Sequence, residues 1–149
     1  MLRWTTSKLQ NILIAYWVIV PVLFYIYLAI TSFSQQVSMQ DMLQSVPGIA
    51  LGNLLVSLML FQAGILFFVS RFSQSKSGLL GKFTLFSIFQ QLLTGNFIGA
   101  ALAFFLGRSL LPTEENTTSQ AKLIFYLALG FVLLFSALTA FVAWRMRGV

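Results

Sequence analysis

Long apolar runs dominate the chain, and polar residues gather in the short segments between them. A helix needs about 20 mostly apolar residues to cross roughly 30 Å of hydrocarbon. Four runs meet this length: 11–33, 47–70, 83–107 and 123–144. The first exceeds the roughly 7–15 apolar residues of a signal sequence core, so we interpret it as a span. Because backbone groups in lipid must be paired within their own segment, we predict an all-α polytopic membrane protein with four transmembrane helices in a single domain, 1–149.

A short amphipathic pattern lies between the first two runs. Ser38 is followed three residues later by Asp41, which is typical of a capped helix start. Four apolar residues then recur at the spacing of one helical face: Met39, Met42, Leu43 and Val46. We predict a short helix over 38–45 that lies at the membrane interface between spans one and two.

Composition excludes several kinds of chemistry. The chain is 58% hydrophobic and 8% charged, against about 25% charged in soluble domains, and its mean hydropathy is +0.90. It contains no cysteine and no histidine, which excludes disulfides, thiolate metal sites and histidine-ligated haem. None of its Asp, Glu, Lys or Arg residues lies deep inside an apolar run, and proton relays and hydrolases need such groups. We therefore predict that the protein is not an enzyme and uses no cofactor or metal.

The charges predict an orientation. Nine basic and three acidic residues give a net charge of +6. With four spans, seven basic residues share one side: Arg3, Lys8, Arg71, Lys76, Lys82, Arg145 and Arg147. Because basic loops stay in the cytoplasm, we predict cytoplasmic N- and C-termini in a plasma membrane protein. The basic residues are scattered at helix ends, which favours contact with the lipid bilayer and indicates no nucleic-acid partner.

A row of small residues follows the third run at steps of four: Gln91, Gly95, Gly99, Ala103 and Gly107. The second run offers Gly48 and Gly52 at the same spacing. Small residues on one row let helix backbones approach closely in membranes. We predict that spans two and three form the tightest pair through this row. The alternative is that the row contacts another subunit.

Uncharged polar residues also lie at depth in the second and third runs: Asn53, Ser57, Gln62, Gln90, Thr94 and Asn96, together with Gln91. An unpaired amide in hydrocarbon costs several kcal/mol, so each of them should find a partner. They either join helices or line a polar path, and Gly95-Asn96 could break the third helix as in transporter binding sites.

Two functions follow from these patterns. The leading hypothesis is an accessory, assembly or immunity-type subunit that packs laterally against another integral membrane protein or against itself. The alternative is a homo-oligomeric channel or uncoupled small-solute transporter lined by Asn53, Gln91, Thr94 and Asn96. A third, weaker hypothesis is an interfacial lipid enzyme, which would have to use Asp41, Glu114 or Glu115.

Overall fold

The structure is a computed structural model that describes residues 5–148. This part of the chain forms six helices and contains no strand. The helices are α1 (Thr6–Gln35), α2 (Met39–Ser45), α3 (Pro47–Ser70), α4 (Leu79–Leu93), α5 (Phe97–Ser109) and α6 (Ser119–Arg147). The predicted all-helical class is confirmed.

Three of these helices, α1, α3 and α6, are long and apolar enough to cross a membrane. α3 is the central one, because it packs against both α1 and α6. In the most apolar 18-residue window, 39% of α3 is buried, against 22% of α1 and of α6. The ring centroids of Phe61 on α3 and Phe131 on α6 lie 4.8 Å apart, near the middle of both helices. α1 and α6 therefore flank α3 and leave most of their apolar surface uncovered.

The predicted third span is not one helix. It breaks at residues 94–96, and the two halves, α4 and α5, fold back on each other as an antiparallel hairpin. Thr84 near the start of α4 lies beside Gly107 near the end of α5. Ser75 before α4 pairs with Leu111 after α5 in an isolated bridge. The expectation of a continuous helix over 83–107 was therefore wrong, because the polar turn at its centre ends one helix and starts another.

The open end of the hairpin is closed by contacts between two segments, 71–78 and 110–118, which we call the base. The Ser77 hydroxyl donates to the carbonyl of Thr113 at 2.6 Å. The start of α1 reaches the same place, since the Thr6 hydroxyl donates to the carbonyl of Ser109 at 2.9 Å. The start of α1, the end of α3 and both ends of the hairpin thus meet at the base.

The hairpin changes the direction of the last helix. The Lys82 ammonium near the base donates to the Tyr126 hydroxyl of α6 at 3.1 Å. At the far end of α6, Trp144 lines one cavity together with Leu51, close to the start of α3. α6 therefore runs away from the base, and the two ends of the described chain lie at opposite ends of the bundle. The expectation that both termini share one side does not fit this arrangement, because the third apolar run returns to the base from which it started.

The predicted short helix is present as α2. The Ser38 hydroxyl accepts a hydrogen bond from the Asp41 backbone N–H at 3.1 Å and donates to its carboxylate at 2.6 Å. This pair starts the helix as the sequence pattern predicted. Met42 is the buried residue of α2, so the helix lies against the rest of the bundle on that side.

Candidate functional site at the hairpin tip

The turn between α4 and α5, residues 94–96, is the hairpin tip. Gly95 has a φ of +77°, a conformation that other L-residues rarely adopt. The Asn96 N–H donates to the carbonyl of Gln91 at 2.7 Å, and the Gly95 N–H donates to that of Leu92 at 3.1 Å. This is the pattern of a Schellman motif, which ends α4 with its last carbonyls satisfied.

Asn96 then starts α5. Its side-chain oxygen accepts a hydrogen bond from the N–H of Gly99 at 3.1 Å, as in a helix N-cap. The same oxygen accepts the Tyr16 hydroxyl of α1 at 2.6 Å. One side-chain atom thus caps α5 and fastens the tip to α1. A parallel contact joins α1 to α3, where the Tyr25 hydroxyl donates to the Asn53 side chain at 2.9 Å.

Three glutamines and a serine form a buried cluster below the tip, which we call the glutamine cluster: Gln62, Gln90, Gln91 and Ser136. The Gln90 oxygen accepts from the amides of Gln62 at 2.7 Å and Gln91 at 2.8 Å. The Gln90 amide donates to the Ser136 hydroxyl at 2.9 Å. The Gln91 amide also donates to the Gln62 oxygen. These bonds join α3, α4 and α6.

The side chains of the cluster are buried. Each of its four side chains is at most 4% exposed. The side-chain oxygen of Gln91 is buried without a hydrogen-bond partner, and it lies against Gly99 at the start of α5. The Thr94 hydroxyl donates back to the Gln90 carbonyl at 3.1 Å. The buried amide N–H groups thus donate to groups on neighbouring helices. This favours the interpretation that these residues join helices over the interpretation that they line a polar path for a solute.

The predicted row of small residues lies mostly inside the hairpin. Gly99 and Ala103 are buried on α5, and a side chain at Gly99 would overlap that of Gln91 on α4. Gly107 faces Thr84 of α4. The row thus lets α5 pack closely against α4.

The glycines of the second run do not meet this row. A Cβ at Gly52 would lie 2.8 Å from the ring of Phe24 on α1, while Gly48 and Gly95 face open space. Ser57 is exposed on α3. The expectation that spans two and three form the tightest pair was wrong, because α3 packs mainly on α1 and the small row is used within the hairpin.

Because α4 and α5 stop at the tip, space remains above it on both sides of α3. The tip cavity, about 440 Å³, lies between α3, α6 and the turn, and its lining includes Leu51, Gly95 and Arg147. The α1-side cavity, about 310 Å³, lies between α1, α3 and the turn, and its lining includes Phe24, Asn96 and two members of the glutamine cluster, Gln90 and Gln91. Both cavities are lined by apolar and small side chains together with several polar ones.

A second polar site lies at the base. The Glu115 carboxylate accepts the backbone N–H of Gln74 at 2.8 Å and lies beside the hydroxyls of Ser73 and Ser75. Burial alone would raise the pKa of Glu115, but these hydrogen bonds stabilise the charged form and together lower the pKa below its ordinary value. Glu115 therefore ties the segment before α6 to the loop before α4.

Sequence reasoning missed three partners of the deep polar residues: Tyr16, Tyr25 and Ser136. All three lie in predicted spans, and a polar atom within an apolar run was the available signal. Their roles depend on which helices meet, and one sequence does not carry that information.

Comparisons with protein-family models, with curated proteins and with solved structures found no match to this chain.

Proposed function

We propose that this chain is a non-enzymatic integral membrane protein that acts as an accessory or assembly subunit by packing against another membrane protein or a second copy of itself. The observation that carries the proposal is the buried, internally hydrogen-bonded glutamine cluster. Its amide N–H donors join α3, α4 and α6, so the donor groups of these buried glutamines serve the fold. The outward faces of the membrane-spanning helices are apolar, and such faces can pack against another membrane protein.

The same proposal includes an arrangement in the membrane. α1, α3 and α6 span the bilayer, and α4–α5 enters it as a re-entrant hairpin from the base. Twelve residues separate Lys82 from Thr94, which places the tip about 18 Å into the bilayer at 1.5 Å per residue. Non-helical backbone at such a depth is tolerated where it is covered by protein or lines a cavity. α2 lies at the opposite interface.

Charge indicates which end faces the cytoplasm. Six basic residues lie at the base end: Lys8, Arg71, Lys76, Lys82, Arg108 and Lys122. The opposite end carries Arg145 and Arg147, while Arg3 lies outside the described residues. By the positive-inside rule the base is cytoplasmic, in the plasma membrane, and the end of α6 is on the other side.

The outer faces of α1 and α6 are the proposed association surfaces, because they are the least covered parts of the spanning helices. On α6, Leu127 and Leu134 are 65% and 67% exposed. On α1, Tyr27 is 58% exposed. A partner that packs on one of these faces would leave the opposite flank to lipid.

Photocrosslinking in the native cell tests the association. A photoreactive phenylalanine analogue is placed at Tyr27, Leu127 or Leu134, one position at a time, in the full chain. We expect protein adducts of defined mass from one flank of the bundle and lipid adducts from the other. Phe125 on α6 and Trp17 on α1 are the matched controls, because both are fully buried and should yield only intramolecular products. Lipid adducts alone from every exposed position would reject the accessory-subunit proposal.

A channel or uncoupled transporter remains the second candidate, and the broken helix at the tip favours it. Paired half-helices at the centre of a membrane are typical of transporter binding sites. Purified protein in liposomes would then carry a small polar solute, and a substitution at Asn96 would abolish the flux. Absence of flux from correctly inserted protein would remove this candidate without touching the first.

A further inference from the structure

Two cavities meet at the end of α6. The tip cavity runs from the apolar side chains Leu51, Leu55 and Leu93 toward Trp144 and Arg147. A second cavity of about 580 Å³ is lined by Trp144, Arg145, Arg147 and Gly148. The two share Trp144 and Arg147, so the mainly aliphatic space between the helices adjoins a basic rim.

The rim has the character of a headgroup site. Arg145 and Arg147 are both exposed and project from the last turn of α6. Trp144 is a residue type that prefers the membrane–water boundary. Cations at a helix C-terminus also interact favourably with the helix dipole, so their presence alone does not define a ligand. The apolar cavity directly beneath them is the second, independent feature.

Size decides between a lipid chain and a protein helix. A helix about 10 Å across and 30 Å long occupies on the order of 2,000 Å³. The tip cavity, at about 440 Å³, is several times too small for it. It is large enough for a small ligand, since such pockets are typically about 300–1,000 Å³. Alanines at positions 140 and 143 and Gly95 supply the room.

We propose that the tip cavity binds one phospholipid with an anionic headgroup. An acyl chain fills the space above the hairpin tip, between α3 and α6, and the phosphate lies at the rim beside Arg147, which lines both cavities. The lipid would complete the half of the bundle that the hairpin leaves unfilled. This site is separate from the outer faces of α1 and α6 that we assign to a protein partner.

Native mass spectrometry of the purified full chain tests the proposal. Phosphatidylglycerol and phosphatidylcholine with identical acyl chains are the probes. We expect one tightly held phosphatidylglycerol per chain and weaker binding of phosphatidylcholine. Arg147→Gln should weaken phosphatidylglycerol binding about fivefold, the usual effect of one basic residue near an anionic membrane surface. Lys122→Gln, at the opposite end of the bundle, is the matched control and should leave the affinity unchanged.

A cavity-filling variant tests the location. Ala143→Phe keeps both arginines and fills the tip cavity, so it should abolish saturable binding of both lipids. If this variant does not fold, the smaller filling variant Ala140→Leu replaces it. Equal affinity for the two lipids in the wild type, or an equal loss in Lys122→Gln and Arg147→Gln, would overturn the headgroup assignment. Unchanged binding in the filled variant would overturn the cavity assignment. These measurements use the isolated chain, so their outcome is independent of whether a protein partner is found.

Discussion

α3 and the α4–α5 hairpin come from apolar runs of similar length, 47–70 and 83–107, yet one run forms a single helix and the other folds back. Both runs contain glycine. In α3, Gly52 and Gly64 lie within a continuous helix. In the hairpin, Gly95 lies between Thr94 and Asn96, and the three residues together form the turn.

The difference teaches that the residues beside a glycine decide its effect. An isolated glycine weakens a helix by up to about 1 kcal/mol, which neighbouring helices readily offset. Gly95 followed by Asn96 offers a complete alternative, because the glycine ends one helix and the asparagine caps the next. The small row at Gly99, Ala103 and Gly107 then gives α5 a surface on which α4 can pack.

The largest test of this comparison is topological. The chain contains no cysteine, so each single-cysteine variant carries one thiol. With the hairpin, Asn116→Cys should label from the same side of the membrane as Lys76→Cys. Gly148→Cys should label with Gln40→Cys from the other side. A membrane-impermeant maleimide on intact cells measures this as an all-or-none difference.

Four continuous spans predict the opposite pairing for the same four variants. Labelling of Asn116→Cys together with Gln40→Cys would therefore reject the hairpin. Unlabelled protein, solubilised and denatured, serves as the control for thiol reactivity at each position.

Much of the architecture could be predicted from the sequence, because it depends on local rules. Apolar length predicted α1, α3 and α6, and the Ser38–Asp41 spacing predicted the start of α2. Of the glycines predicted to pack between helices, Gly52, Gly99 and Gly107 do so and Gly48 and Gly95 do not, and the row was assigned to a neighbouring span. A row of small residues indicates that another helix packs closely against it, but it does not indicate which helix.

The hairpin could not be decided from local patterns. The turn residues allow a break, but folding back also needs distant contacts: Tyr16 on Asn96, and Glu115 on the backbone of Gln74. These pairs are separated by 80 and 41 residues. The predicted orientation depended on the same point. The side of the membrane to which Arg108 and Lys122 were assigned follows from whether the third run crosses the membrane.

The next largest effect is expected from a substitution that disrupts the glutamine cluster. Gln90→Leu removes three hydrogen bonds, and at about 0.6 kcal/mol each in a membrane protein this should cost about 2 kcal/mol of unfolding free energy. Denaturant unfolding in detergent measures the change. Ser57→Leu on α3 is the control, because Ser57 is exposed and its loss should be nearly neutral. Equal effects of the two substitutions would mean that the cluster does not join the helices.

The same substitution in the two regions should have opposite signs. Gly95→Ala puts an L-residue at a φ of +77° and should destabilise by about 1–2 kcal/mol. Gly64→Ala lies in the continuous α3 helix and should stabilise by up to about 1 kcal/mol. Both sites have open space for the added methyl group, so steric clashes should not contribute to either change in unfolding free energy. Unfolding free energies of the two variants that shift in the same direction would argue against a turn at Gly95.

The smallest expected effect concerns the base, which the hairpin requires and a single span does not. Hydrogen bonds at the base hold the pKa of Glu115 in the folded chain below its ordinary value, so its charge contributes stability at pH values above that ordinary value. This contribution is lost as the pH falls through the folded pKa. Glu115→Gln should therefore lower the thermal midpoint at neutral pH and have progressively less effect under acidic conditions. Glu114→Gln, a substitution of the exposed neighbouring acid, is the control and should leave the thermal midpoint nearly unchanged. A constant difference between Glu115→Gln and the wild type across the pH series would mean that the carboxylate charge does not hold the base closed.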